Sequence, residues 1–399
     1  MAALDLLLGD RVRFHRMRQG RSQEVVAGLV GITPDYLSMI ERGKKAPSLD
    51  VLTVLARELG VPVADLLAEQ PSAIAAPPNT SAAQITRALL GFGPARSAPP
   101  ASPTQLRERV EAAWRAWQSA PNRFSIAADV LPSLIADVEH ATRAYRSEPA
   151  SRREALRIAA DLYGLLRSYL RRAGRIDLSL MAADRAARAA EEADDPLRIA
   201  AASWNLGHVL MWDGEPEGAE EVATRASAAL ARELPDDEQA LALTGALGLV
   251  GVVGAARRRD WWTARERLEG IAQIARSCGD ALNPAWTVFG PTNVELHRVS
   301  IEMEAGQAAD ALRLAERIDT GRLPSRERVF TFQLEIARCY DLRRDDPAAL
   351  LCLLQLEQSS PEDLARSALA KEIVLAVWRR ARPLHARQAE HLAQRMGVL

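Results

Sequence analysis

The stretch SQEVVAGLVGITPDYLSMIERG, residues 22–43, predicts two short helices joined by a tight turn. Ser22 has a side chain suited to cap the first helix, and Thr33 with Pro34 at the first helical position opens the second. Gly31 lies between them and can take the positive φ that a tight interhelical turn requires. The stretch is therefore expected to fold as a packed helical pair.

Start and stop signals on either side extend this pair into a domain. Glycines and a Pro-Ser pair divide residues 1–68 into five short helices. Residues 69–103 are rich in proline and alanine, the composition of a linker, and positions 81–90 within them could form one or two isolated helical turns. The first domain is thus predicted to end at about residue 68.

A self-similar helical pattern runs through residues 104–399. Its turns recur every 40 to 46 positions, a longer period than the roughly 34 residues of a strict tetratricopeptide repeat. The turns are expected near Gly174, Gly214, Asp260, Gly306 and Asp346. The chain is predicted to be all-α, a five-helix domain followed by an α-solenoid of tetratricopeptide-like helical hairpins.

Composition and charge limit the classes of function. Hydrophobic residues make up 48% of the chain and aromatic residues 5%, which favours helices packed through small side chains. The net charge of -1 means that any surface for nucleic acid must be a local basic patch. The apolar run at 2–8 is too short to span a bilayer, so neither export nor a membrane anchor is expected.

The sequence contains no recognisable catalytic or metal motif. It has no glycine-rich phosphate loop, no nucleophile elbow and no His-Glu-x-x-His pattern. The three cysteines show no metal-ligand spacing. The chain is therefore not predicted to be an enzyme, and no metal or cofactor is expected.

Five residues of the opening stretch carry a resemblance to a known family. Gln23, Ala27, Gly31, Leu37 and Ile40 occur at the separations found in the helix-turn-helix of the Cro/cI-repressor or Xre class. The resemblance continues through the glycine and proline breaks that follow and covers about the first 68 residues. It implies a DNA-binding domain of that class.

The resemblance also implies which residues form the DNA interface. The helix at 33–40 would lie in the major groove with its N-terminal end toward the bases, and Arg16 with Glu41 would form the family's buried ion pair. The residues implied to face DNA are Gln23, Thr33, Pro34, Asp35, Tyr36, Ser38, Met39, Arg42, Lys44 and Lys45. Those implied to contact its phosphates are Gln23, Arg42, Lys44 and Lys45.

Alternatives remain open for this surface. The same positions could simply pack a five-helix interaction module. Asp35 could accept a hydrogen bond from a cytosine amino group, or only cap the helix and repel phosphate. The net charge over residues 1–45 is only +3, so one copy should bind weakly and a homodimer on a palindromic operator is expected.

The second domain contains three recognisable pieces: Trp204-Asn205-Leu206, the segment 289–294 and His297-Arg298. On these pieces, residues 150–375 resemble the C-terminal halves of actinobacterial Xre-type regulators. In architecture the domain also resembles peptide-responsive regulators, in which asparagines lining a groove bind a signalling peptide. Polar residues at helical spacing and nearby aromatic residues could line such a groove. These candidates are Asn205, His208, Trp212, Trp262, Trp286, Phe289, Asn293 and His297. The alternative is that they only pack and bond between adjacent hairpins.

Taken together, these features predict a cytoplasmic, sequence-specific transcriptional regulator that binds double-stranded DNA as a homodimer. Its repeat domain is expected to bind a peptide or small-molecule signal and to mediate dimerisation. The competing hypothesis is an interaction scaffold, in which the repeats dock a regulatory protein and the helix-turn-helix localises it to DNA.

Overall fold

A computed structural model describes residues 8–9, 12–13, 15–16, 21–61, 63, 66, 80–92, 99–321, 323–381 and 383–399. The regular elements within these ranges are nineteen α-helices and two short 3-10 helices, and no strand occurs among them. The all-α prediction is confirmed for this part of the chain. The protein divides into two compact units, Met1–Pro78 and Asn79–Leu399, which are described separately.

Within the described residues of the first unit, three complete helices have ends that follow local capping chemistry. Their bounds are α1 Gln23–Val30, α2 Pro34–Glu41 and α3 Leu49–Glu58. The hydroxyls of Ser22 and Thr33 accept hydrogen bonds from backbone N–H groups in the first turns of α1 and α2. The first and fifth of the five predicted helices fall largely outside the described residues.

The turn between α1 and α2 has the conformation that the sequence predicted. Gly31 has φ 75° and ends α1, a backbone angle that costs glycine little. Ala27, Leu37 and Ile40 are fully buried where the two helices meet α3. This core fixes which face of α2 turns inward and therefore which face remains exposed.

The second unit is a succession of helices. Their bounds are α4 Thr80–Leu89, α5 Pro103–Ser119, α6 Arg123–Ala144, α7 Pro149–Arg172, α8 Ile176–Glu192, α9 Pro196–Asp213, α10 Pro216–Glu233, α11 Glu238–Arg257, α12 Trp261–Cys278, α13 Pro291–Glu304, α14 Ala308–Ala315, α15 Arg326–Leu342, α16 Asp346–Ser359, α17 Pro361–Arg366, α18 Ala368–Arg380 and α19 Pro383–Arg395.

Helix α4 lies within the segment predicted as a linker. It is not isolated, because Ile85 and Leu89 are fully buried in one core with α5, α6 and α7. These side chains stand four residues apart and form a short apolar stripe on one face of the helix. The helix therefore belongs to the second unit, and the division between the units falls after Pro78.

Five hairpins form the body of the second unit, from the pair α7–α8 to the pair α15–α16. Their turns fall where the sequence predicted them, with glycine at positive φ at Gly174, Gly214 and Gly306. The side chains of Asp260 and Asp345 cap α12 and α16. Small residues let the helices approach closely, as at Gly207, where a Cβ atom would lie 3.1 Å from Cγ1 of Val250.

Helix α11 is the most apolar helix of the second unit. Among the described helices it alone is long and apolar enough to cross a membrane, and 67% of its most apolar window is buried inside the protein. Its side chains pack with α9, α10 and α12. Burial as a core helix accounts for this composition.

The segment between α12 and α13 reaches across to α5. The Trp286 ring stacks on Trp114 with centroids 4.5 Å apart, and Gln118 donates a hydrogen bond to the Trp286 carbonyl oxygen at 3.1 Å. Ala285, Trp286 and Val288 all have positive φ, a conformation that costs non-glycine residues free energy. These contacts hold an unfavourable backbone in place.

Candidate nucleic-acid interface and candidate ligand site

Helix α2 presents the residues predicted to face DNA on its exposed side. Thr33, Pro34 and Asp35 at its N-terminal end are exposed, and Tyr36, Ser38 and Met39 are partly exposed. The opposite face is anchored by the buried Leu37 and Ile40. The N-terminal turn and one side of α2 are thus free to contact another molecule.

A basic turn follows α2 directly. Arg42, Lys44 and Lys45 are all exposed. The Nε atom of Arg42 donates to the carbonyl oxygen of Ser38 at 3.1 Å, and the Lys45 ammonium lies 5.1 Å from the centre of the Tyr36 ring. The turn carries three positive charges beside the exposed face, an arrangement that can bind phosphate oxygens.

A buried ion pair lies beneath the exposed face. Arg16 Nε donates to Glu41 Oε1 at 2.6 Å, and Arg16 Nη2 donates to Glu41 Oε2 at 2.9 Å. The hydrogen bond to Glu41 raises the pKa of Arg16 above its ordinary value. The pair implied by the family resemblance is therefore present.

Gln23 also binds Glu41. Its Nε2 atom donates to Glu41 Oε2 at 2.7 Å, which ties the start of α1 to the end of α2. The side chain is partly exposed, and an amide has a second N–H with which to donate. A contact from Gln23 to a DNA phosphate stays a prediction and would use that second N–H.

In the repeat unit the predicted polar residues lie on the first helices of their hairpins. Asn205 and His208 are one turn apart on α9, and Asn293 and His297 are one turn apart on α13. Both asparagines are buried, and both accept a hydrogen bond from an arginine of a neighbouring first helix. Both Asn-His pairs therefore lie on first helices, with Asn205 in the middle of α9 and Asn293 in the first turn of α13.

The histidines are partly exposed among positive charges. Burial lowers the pKa of His208 well below its ordinary value, and Arg167, Arg171 and Arg328 lower it further. Burial and Arg328 do the same to the pKa of His297. Both imidazoles are therefore neutral at neutral pH.

The aromatic candidates occupy different environments. Trp212 is exposed at the end of α9, and the Arg171 guanidinium lies 5.3 Å from the centre of its ring. Trp262 is 71% exposed in the first turn of α12, the second helix of its hairpin. Phe289 is 1% exposed and packs in the core beside Gly245, as the packing alternative expected. Trp286 stacks on Trp114 as described above.

A carboxylate that the sequence did not single out holds three arginines together. Glu327, near the start of α15, accepts hydrogen bonds from Arg123, Arg171 and Arg172. Burial alone would raise the pKa of Glu327, but these three guanidinium groups hold it well below its ordinary value. An arginine within the apolar run of α7, such as Arg167, is the sequence signal that marks this region.

The first unit contains a segment that is similar to known proteins. Residues 12–66 match the family model described as Helix-turn-helix. The transcriptional regulator ClgR of Mycobacterium tuberculosis is 38% identical over 61 residues, which are 15% of this chain and 54% of that protein. The HTH-type transcriptional regulator DdrOP3 of Deinococcus deserti is 42% identical over 60 residues, 15% of this chain and 46% of that protein. The chain thus spans about half the length of these curated relatives.

One solved structure that this chain matches is that of PlcR from Bacillus thuringiensis in complex with the peptide PapR7 and DNA. The match covers 86% of this chain and 99% of the PlcR chain, with 12% sequence identity and a TM-score of 0.34.

Proposed function

We propose, from the helix-turn-helix domain at residues 12–66, that this protein is a cytoplasmic, sequence-specific DNA-binding transcriptional regulator. The observation that carries the proposal is the exposed face of α2 next to a basic turn, held from beneath by the Arg16–Glu41 pair. A helix presented in this way fits the major groove, where its side chains meet base edges. The basic turn then lies at the phosphates.

The charge at the start of the first unit supports binding as a dimer. Residues 1–45 carry a net charge of +3, and each phosphate contact adds a salt-dependent increment of affinity. Two copies on a palindromic operator double the number of such contacts and fix the spacing of the half-sites. The proposed homodimer is tested by light scattering of the full chain with and without operator DNA.

The repeat unit is proposed to bind a signal, a peptide or a small molecule, and to mediate dimerisation. What supports this is that Asn205, His208, Asn293 and His297 lie on first helices rather than scattered over the hairpins. A ligand that binds one dimer geometry better than another shifts the population of DNA-binding dimers. Regulation then follows from differential affinity.

Genome-wide DNA capture with the full chain tests the DNA-binding proposal. The wild-type protein should enrich a set of sites that share a palindromic motif. Arg42→Ala should reduce that enrichment strongly, whereas Arg188→Gln, an exposed arginine on α8, should leave it unchanged. Equal enrichment by the wild type and Arg42→Ala, or no shared motif, would reject the proposal.

A further inference from the structure

Two arginines in the repeat unit are held by asparagines in the same way. Arg167 on α7 donates through Nη2 to Asn205 Oδ1 on α9. Arg328 on α15 donates through Nε to Asn293 Oδ1 at 2.8 Å on α13. In both cases the partner is the oxygen of a neutral amide, which orients a guanidinium without neutralising its charge.

Neither arginine is paired with a carboxylate among the residues that the structure describes. Arg167 is 3% exposed, and its Nε atom is buried with no hydrogen-bond partner in that part of the chain. A buried charge without a counter-ion costs several kcal/mol, and a buried donor without an acceptor adds to that cost. Burial lowers the pKa of Arg167 to about 10, which reflects the same penalty.

The acidic groups nearby are already engaged. Glu327 is shared by Arg123, Arg171 and Arg172. Glu335 accepts a hydrogen bond from Ser300 at 2.8 Å, and burial raises its pKa to about 7. Positive charge therefore exceeds negative charge around the first helices, even when both of these glutamates are counted.

His208 lies where the charges converge. The positive charges of Arg167, Arg171 and Arg328 all act on it, as does His297. Its ring meets the Trp204 ring edge to face, with centroids 4.4 Å apart, and Arg167 lies 5.3 Å from the centre of the Trp204 ring. The Trp204 ring therefore contacts both the buried Arg167 and the partly exposed His208.

We propose that this group, Arg167, Arg328, His208 and His297 with their asparagines, binds the anionic part of a ligand, a carboxylate or a phosphate. The inference rests on the proposed ligand-sensing role of the repeat unit and names the chemistry of the signal. The Arg167 Nε–H, which has no partner among the described residues, and the guanidinium of Arg328 donate to the anion's oxygens, as guanidinium groups do to carboxylates and phosphates. The two imidazoles add further donors.

Binding of an anion should be coupled to proton uptake. The charged groups that act on the histidines are Arg167, Arg171 and Arg328, and the carboxylates of Glu335 and Glu327 act in turn on Arg328. An anion placed among them favours the protonated imidazole, because an opposite charge stabilises the charged form. Affinity for the anion should therefore rise as the pH falls from neutrality.

Isothermal titration of the full chain at constant ionic strength tests the proposal, with inorganic phosphate and acetate as probes and chloride as the balancing anion. At least one probe should bind saturably with one site per chain, and the tighter of the two identifies the preferred group. Arg328→Gln and Arg167→Gln should each weaken binding about tenfold or more, as loss of a charge-assisted hydrogen bond does. Arg328→Lys keeps the positive charge but loses the planar guanidinium group. Its affinity for the probe should therefore lie between those of the glutamine variants and that of the wild type.

Controls locate the site and separate this inference from the function proposed above. Arg188→Gln, at an exposed arginine on α8, should bind the probe as the wild type does. Circular dichroism of each variant reports whether it is folded. If Arg167→Gln does not fold, Arg328→Lys provides the test in its place. No saturable binding of either probe, or unchanged binding by all three arginine variants, would overturn the inference. Binding of promoter fragments without a probe, measured on the same samples, tests DNA recognition independently.

Discussion

Glu41 accepts two hydrogen bonds from Arg16 and a third from Gln23, so a single buried carboxylate joins α2 both to α1 and to the segment before it. The Glu41 side chain is only 2% exposed. The exposed face of α2 therefore depends on an ion pair lying directly beneath it.

Replacement of Glu41 by alanine should destabilise the first unit. It leaves the Arg16 guanidinium buried without its carboxylate, and removal of one partner of a buried pair typically costs about 3–5 kcal/mol. Hydrogen exchange of the full chain should show faster exchange over residues 23–41. Glu24→Ala, at an exposed position in the first turn of α1, should change the exchange rates of these residues little. Equal protection in the two variants would contradict the structural role given to the pair.

Lys44→Ala should weaken binding to every DNA sequence by a similar factor. The side chain is exposed in the basic turn, and loss of one phosphate contact lowers the slope of log affinity against log salt by about 0.9 per copy. Fluorescence anisotropy over a series of salt concentrations measures this slope. Lys371→Ala in α18 of the second unit is the matched control and should leave the slope unaltered.

Substitutions at Tyr36 or Met39 should change which sequence is preferred. Both side chains lie partly exposed on α2, where base edges are contacted, and one such contact discriminates by about 1–3 kcal/mol. Selection from a random oligonucleotide pool should give an altered motif for Met39→Ala and the original motif for Lys44→Ala. An unchanged motif for both Tyr36→Ala and Met39→Ala would show that other residues read the bases.

Two helical glycines should respond in opposite directions to alanine. A Cβ atom at Gly245 on α11 would overlap the Phe289 ring, whereas one at Gly270 on α12 would meet no atom within 4 Å. Gly245→Ala should lower the free energy of unfolding by about 1–3 kcal/mol, and Gly270→Ala should raise it by about 0.5–1 kcal/mol. Urea denaturation measures both, and a stabilising Gly245→Ala would contradict the packing of Phe289.

The repeat unit should lose stability below about pH 6.5. The pKa values of His208 and His297 are lowered in the folded protein, so below the unfolded-state pKa of about 6.5 the unfolded chain binds more protons. Each histidine then adds up to about 1.4 kcal/mol per pH unit to the slope of stability against pH. The loss continues until the pH reaches the folded-state pKa.

Urea denaturation from pH 7.5 to 5.5 measures this slope. His208→Asn removes one titrating group and should make the dependence shallower. His391→Asn, at an exposed position on α19, is the matched control. A stability independent of pH over this interval would contradict the depressed pKa values.

Local chemistry made much of the fold predictable. The caps at Ser22 and Thr33 and the turn at Gly31 depend on residues within four positions of one another, and all three appear in the structure. The hairpin turns were found for the same reason. The packing of helix α4 into the second unit was not predicted, because its apolar stripe of Ile85 and Leu89 is short. The burial of these two side chains depends on helices far along the chain.

The candidate ligand site was only partly predictable. Asn205 and His208 were recognised from their helical spacing, but Arg167 and Arg328 were not. Charged residues are abundant in this sequence, and most arginines on a helix are solvated. Which of them are buried is decided by neighbouring helices tens of residues away, so the charge imbalance appears only once the hairpins are stacked.

Arg123 has a fully buried side chain that binds Asp363 and Glu327, which follow it in the sequence by 240 and 204 positions. Hairpins in a repeat protein ordinarily contact only their neighbours. Such a protein can therefore fold one hairpin after another as the chain leaves the ribosome. This unit differs, because a nascent chain that has emerged only through α14 carries a cation at the start of α6 whose acidic partners are not yet synthesised. The unit can complete its folding only after α15 and α17 have been translated. Chains truncated before that point should therefore bind chaperones more readily.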